Sequence, residues 1–361
     1  MEKTEKLKLW TRIRQWVHKH RKVVWIVSGV LLICAVGLAS FIILSSKKGT
    51  PVTATTETVK QPDPIKYYSP LTGKLIADEN ATKQPVTGIM IENSPDARPQ
   101  SGIKDSGVVF EAIAEGGITR FLVIFQQEKP QLIGPVRSVR SYYIDWAAAF
   151  NASVAHVGGS AAALAEVRNG SYRDIDQFFN SGTYWRAADR YAPHNVYTSF
   201  AKIDALNVAK GYTSSTFTGF THTDGQPSET PTATGINISI SGALYNSSYA
   251  YDKVTNTYAR SQAGGPHLDR EAGQITPSVV IAMSVDESTI LEGGYGQNIT
   301  TVGSGKAVIF QNGTATNATW HKANKLGQIT FTDEAGKDIP LVRGQTWISA
   351  VPNGQGGVSW Q

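Results

Sequence analysis

The chain has 361 residues, a single cysteine, 41% apolar and 17% charged residues, and a formal net charge of +5. Such a composition excludes a disordered chain and a disulfide-stapled miniprotein, and the length suits roughly two domains. The charge is not spread evenly. Residues 1–22 hold eight Lys or Arg and two Glu, which leaves 26 basic and 27 acidic residues beyond them. A nucleic-acid partner for the globular part thereby loses its electrostatic footprint.

In chain order, residues 7–20 (LKLWTRIRQWVHKH) come first. Leu9, Ile13, Trp16 and Val17 fall on one helical stripe opposite basic side chains, the pattern of an interfacial helix on an anionic leaflet. Residues 23–44 carry no charge and are long enough to cross a bilayer as a helix. A basic flank precedes them and only Lys47 and Lys48 follow closely, which places the N-terminus in the cytoplasm. A cleaved signal peptide has a shorter apolar stretch. A lipidation signal needs a small residue before its cysteine, where this chain has Ile33 before Cys34. The expectation is therefore a single-pass cell-membrane protein with a basic cytoplasmic tail (1–22), a transmembrane helix (23–44), a flexible linker (45–67) and its bulk outside the cytoplasm.

Beyond residue 67 the texture predicts an α+β (or α/β) N-terminal ectodomain over 68–212. Strands are expected at 88–92, 108–115, 119–125 and 153–157. Helices are expected over 139–150, after Ser160 as a cap, and after Ser199 as a cap. A Thr/Ser/Gly/Pro-rich stretch, 213–235, reads as a linker. A mostly-β C-terminal domain follows over 236–361, with short strands such as NTYAR (256–260), SVVIAMSV (278–285), KAVIF (306–310) and QTWISAV (345–351), and a turn at Asn312-Gly313.

The polar signal gathers between 92 and 197. Arg98, Arg120, Arg137, Arg140 and Arg190 stand beside Gly or Pro turns. A guanidinium offers a rigid donor fork for carboxylate or phosphate oxygens, so their convergence would favour an anion, and their dispersal would pair each with an acid such as Glu92, Glu111, Glu115 or Asp189. His156 alternates with apolar residues in a strand, which fits a satisfied core histidine. His194 follows a proline in a loop and is the better acid–base candidate. Ser160 follows two glycines and starts a helix, as a cap, an anion grip or a nucleophile, without the residues of a nucleophile elbow. No metal is expected: there is no H-E-x-x-H and no cysteine pair, and His267 with Asp269 in one loop makes a poor ligand set. No cofactor fingerprint is present at Gly116-Gly117 or Gly158-Gly159.

Taken in order, ENSPDARPQSG, EGGITRF, IGPVRSVRSYY, HVGGS and APHN resemble the YerB-type bacterial envelope proteins, and YARSQAGGPHLD and GQTWISAV extend the resemblance more weakly. The resemblance implies an exported protein, often a lipoprotein, built from a domain of unknown function with a companion C-terminal domain. It implies no catalytic residues. The candidate ligand-binding set read from the clusters is Glu92, Asn93, Arg98, Glu115, Arg120, Arg137, Arg140, His156, Ser160, Arg190, His194 and Asn195. Two functional classes follow. One is a module that holds an anionic or carbohydrate wall ligand, such as a wall polymer or peptidoglycan fragment. The other is an envelope hydrolase or transferase using a Glu carboxylate and His194. A structural partner of the wall-synthesis machinery is a third.

Overall fold

A computed structural model describes residues 2–23, 25, 65–290 and 296–361. The chain divides into two units, Met1–Pro64 and Ile65–Gln361. Of the first unit the structure describes helix α1 (Glu2–Lys19), longer than the 7–20 expected, with Leu9, Ile13 and Trp16 exposed. Most of the expected spanning segment 23–44, and the linker up to residue 64, lie outside the described residues. Among the described residues, no helix is long and apolar enough to cross a membrane.

The second unit is mostly β, with few helices. Its sheets are built by β1 (Thr87–Glu92), β2 (Val108–Glu115), β3 (Ile118–Phe125), β4 (Ser153–His156), β5 (Arg173–Asp176), β6 (Gly235–Ser239), β7 (Ser247–Asp252), β8 (Thr257–Gln262), β9 (Gly265–Pro266), β10 (Val279–Val285), β11 (Gly303–Gln311), β12 (Thr314–Lys322), β13 (Thr330–Thr332), β14 (Thr346–Pro352) and β15 (Gly357–Trp360). The larger sheet runs β13-β12-β11-β10-β14-β2-β3-β1-β4-β5, with the hairpin Glu287–Ile290/Gly296–Ile299 attached to β2. The smaller runs β9-β8-β7-β6-β15. Its longer helices are α2 (Ser141–Ala148), α3 (Ala161–Val167) and α4 (Phe200–Ala209).

The central strands are near-continuous apolar runs because both faces are covered. On one face Val108, Phe110, Leu122, Ile281 and Ile348 pack with Tyr143, Trp146 and Phe150 of the α2 region. On the other, Val109, Phe121, Val123 and Trp347 pack with Phe200 of α4 and with Ile236, Tyr249 and Tyr258 of the smaller sheet. The β11–β12 hairpin turns at Asn312 (φ 57°) and Gly313 (φ 76°), the positive-φ pair that a two-residue turn between twisted strands requires.

Residues 68–212 and 236–361 share the larger sheet. β14 lies parallel between β10 and β2, pairing Trp347 with Val109 and with Val280. The seam between the halves is therefore made of buried ladder hydrogen bonds. The stretch 213–235 is packed chain where a free linker was expected. Ser215 Oγ accepts from Val86 N at 2.9 Å, Phe217 and Phe220 lie 5.6 and 6.1 Å from Phe150 ring to ring, and His222–Thr223 pairs with Leu341–Val342. Its Thr/Ser/Gly/Pro composition hides two aromatic anchors.

Candidate active site

Strand β1 ends at Glu92, and the chain then turns through the short 3-10 segment Pro95–Ala97. The stretch 133–139 runs alongside, fixed by Glu92 N→Pro135 O (2.9 Å), Arg137 N→Met90 O (2.8 Å) and Val136 N→Val196 O (2.7 Å). The loop before Val196 completes the rim. Asn195 holds it by donating to Ala187 O (3.1 Å) and Arg190 O (3.2 Å) while accepting from Arg186 (2.8 Å). Three loops that were separate clusters in sequence thus meet at one strand end, where binding groups commonly sit.

Within this rim, Glu92 is 4% exposed. Its Oε1 accepts from Ser94 Oγ at 3.0 Å and lies 3.0 Å from His194 Nδ1 and 3.3 Å from Arg137 Nε. The Arg137 approach is an ion-pair contact, and the His194 approach becomes one when the ring is protonated. The imidazole's hydrogen bond runs to Ser94 Oγ at 3.3 Å, and Arg137 Nε has no hydrogen-bond partner among the described residues. His194 Nε2 is turned toward Asp96, 4.0 Å from its Oδ2. Beyond it opens a cleft of about 530 Å³ lined by Asp96, Arg98, Arg190, Tyr191, His194 and the Asp189–Arg270 pair.

The arginines of this cleft differ in how they are compensated. Arg270 is paired with Asp189 at 2.6 Å, and that hydrogen bond holds the Asp189 carboxyl below the usual range. Arg98 donates instead to Asn93 Oδ1 (3.1 Å), Asn93 O (2.8 Å) and Leu244 O (2.8 Å). Arg190 donates to Asp96 O (3.2 Å) and Pro99 O (2.6 Å). Carbonyl oxygens orient a guanidinium without cancelling its charge, so both remain cations at a partly desolvated surface.

The remaining candidates fall elsewhere. Glu115 is clamped by Arg120 (2.9 Å) and Arg140 (2.7 Å). Burial alone would raise its carboxyl, and the two guanidiniums outweigh that and hold it below the usual carboxylate range. Arg120 and Arg140 also donate to Ser138 O and Val139 O, so this triad fastens the 133–140 stretch to the β2–β3 hairpin. His156 is fully buried, with Nδ1 2.8 Å from Gly158 O and Nε2 2.9 Å from Asp174 Oδ1, a core histidine. Ser160 is an N-cap accepting from Ala163 N at 3.3 Å. Ser199 occupies the cap position of α4 but its side chain makes no cap hydrogen bond.

Asn93 belongs to a second constellation that the sequence reading missed. Arg260, with no exposed surface, donates to Glu111 Oε2 at 2.8 Å and to His267 Nδ1. Thr119 donates to Glu111 Oε1 (3.3 Å), Asn93 to Thr119 (2.7 Å), Gln100 to Asn93 (3.0 Å), and His267 Nε2 meets Gln100 Oε1 at 3.1 Å. The ring of hydrogen bonds closes on itself. Trp347 adds an Nε1–H to Glu111 (3.0 Å) and a ring face 4.3 Å from the Arg260 guanidinium. Burial first, and then Arg260, push His267 well below its usual range, which keeps it neutral as an acceptor of the guanidinium. Asp269 is likewise structural, accepting from the backbone N–H of Ile103, Lys104, Glu271 and Ala272. The available signal for Arg260 was its inward position in the alternating strand β8, between Tyr258 and Gln262. Ser94, Asp96, Tyr191 and Arg270 had no signal beyond membership of polar loops.

A mixed sheet whose central seam joins two sequence halves, backed by a second sheet and bearing a cationic rim cleft, defines the class of protein, and the chain belongs to the YerB-type family. Its two parts match "Protein of unknown function (DUF3048) N-terminal domain" over residues 71–213 and the corresponding C-terminal domain over 236–348. "Putative lipoprotein YerB" of Bacillus subtilis (strain 168) is 31% identical over 327 residues, 90% of this chain and 95% of that protein. The crystal structure of the YerB protein from Bacillus subtilis matches with a TM-score of 0.73 at 30% identity, covering 81% of this chain and all of that one.

Proposed function

We propose that this chain is a membrane-attached, extracytoplasmic protein of the bacterial envelope that holds an anionic wall ligand in the cleft beside His194. Attachment is supported by the uncharged 23–44 segment behind a basic flank, and by the lipoprotein name carried by the Bacillus subtilis relative. The observation that carries the ligand reading is the state of Arg98 and Arg190. Both face the cleft on backbone carbonyls, with no carboxylate within ion-pair distance among the described residues. Tyr191, 91% exposed on the same rim, offers a flat apolar face to the sugar or glycerol part of such a ligand.

The test is retention of the full-length chain, in detergent, on immobilised poly(glycerol phosphate) and on peptidoglycan fragments. Arg98→Ala/Arg190→Ala is expected to lose retention about tenfold or more, with a reduced salt dependence. Equal retention of the two proteins would remove the basis of the reading.

A further inference from the structure

We propose that the cleft is hydrolytic, with His194 as the base that activates water against a phosphodiester held near Arg98 and Arg190. The proposal rests on the anion-site reading above. Its geometric basis is the orientation of the imidazole. The Ser94 hydroxyl donates to Glu92 Oε1 at 3.0 Å, so the serine oxygen is left to accept from His194 Nδ1 at 3.3 Å. In its neutral form the ring therefore carries its proton on Nδ1 and presents Nε2, with its lone pair, on the Asp96 side that lines the cleft. Glu92 Oε1 also lies 3.0 Å from Nδ1, close enough to stabilise the imidazolium that forms when Nε2 takes a proton. Among the described residues Glu92 Oε2 is buried without a hydrogen-bond partner, and Oε1 carries the carboxylate's contacts with Ser94, His194 and Arg137.

The residue types select the reaction class. Glycoside cleavage needs two carboxyl groups flanking one bond, whereas here Glu92 is engaged with Ser94 and His194, and Asp189 with Arg270, which leaves Asp96 as the single cleft-lining carboxylate without an arginine partner among the described residues. Covalent acyl transfer needs a nucleophile at the free ring nitrogen, and Ser94 sits on the opposite, Nδ1 side. A base with a free Nε2 beside two guanidiniums left without carboxylate partners suits attack on a centre that is itself anionic. In the proposed step Nε2 removes a proton from water as the water oxygen bonds to phosphorus. The bond from phosphorus to the leaving alkoxide breaks, and the imidazolium returns its proton to that alkoxide. Phosphodiester and water become phosphomonoester and alcohol. His194 is the catalytic residue, and Ser94 and Glu92 are positioning residues.

The full-length chain in detergent is expected to hydrolyse bis(4-nitrophenyl) phosphate and to generate phosphomonoester ends from poly(glycerol phosphate). His194→Ala should lower kcat by about 10²–10⁴-fold, and His194→Gln replaces it if the alanine variant fails to fold. Glu92→Gln and Ser94→Ala should lower kcat with KM unchanged and should weaken the preference for the Nδ1–H tautomer in 15N spectra of His194. A purely structural role would shift the tautomer at most and leave kcat unchanged in a folded variant. Wild-type turnover of both probes no higher than that of a folded His194 variant overturns the proposal. If poly(glycerol phosphate) still binds in an Arg190-dependent way, hydrolysis alone falls. If it does not bind, the anion site falls with it.

Discussion

Arginine, glutamate and histidine meet twice in this molecule, once in the sealed space between the two sheets and once at the rim of the larger one. In the sealed cluster, Arg260, Glu111, Thr119, Asn93, Gln100 and His267 form a closed circuit in which each member of the ring has a partner within it. In the rim cluster the circuit is open. Among the described residues His194 Nε2 faces Asp96 only at 4.0 Å, Glu92 Oε2 lacks a hydrogen-bond partner, and Arg98 and Arg190 have no carboxylate within ion-pair distance. Residue type does not separate structure from site here; closure and burial do. A satisfied buried network specifies one packing arrangement, whereas groups left over at a cleft are available to a ligand.

That comparison can be broken most forcefully from the inside. Arg260→Met leaves Glu111 buried without its counter-charge, and the expected loss is about 3–5 kcal/mol, read as a fall in the urea midpoint. Arg260→Met combined with Glu111→Leu should recover part of that loss, because the stranded charge goes too. His194→Ala should change stability by about 1 kcal/mol or less, since its ring is 23% exposed and lies at the edge of the core. A destabilisation by His194→Ala as large as that of Arg260→Met would show the rim to be fold-specifying as well.

The effects of pH have opposite signs. Burial pushes the Glu287 carboxyl up to about 7. The folded state then binds this proton more tightly than the unfolded one, so the contribution is fully present below the ordinary value of 4.5 and is lost as pH rises through 7. Burial, and then Arg343, lower His222 to about 4. Its contribution is present above the ordinary 6.5 and is lost as pH falls toward 4. Between pH 5 and 7, relative to the unsubstituted chain, Glu287→Gln should therefore tilt the Tm profile upward with rising pH, and His222→Asn should tilt it downward. A Tm profile unchanged by either substitution would contradict both shifts.

Much of the secondary structure was legible. The strands at 88–92, 108–115 and 119–125, the helix within 139–150, and the Asn312-Gly313 turn follow from alternation, apolar runs and turn chemistry. Strands β5, β12 and β15 were not seen. ATNATWHK carries polar residues at inward as well as outward positions of a sheet edge, and GVSW is too short to show a period. The site was legible as loop clusters and not as an arrangement. Glu115, Arg120 and Arg140 look no different in sequence from Arg98 and Arg190, yet the first three close on one another.

The sequence by itself determined the local character of this protein: a basic N-terminal stretch before an uncharged segment, apolar strands, helix starts, and polar loops at strand ends. Those follow from period, charge and turn residues within a few positions of each other. Only the tertiary structure decided that β14 inserts beside β2 and joins the two halves in one sheet, and that Arg260 meets Glu111 across 149 positions. It alone decided that Ser94 meets His194 across 100. Such pairings depend on which strands become neighbours, and no local pattern encodes the direction in which a side chain finds its partner.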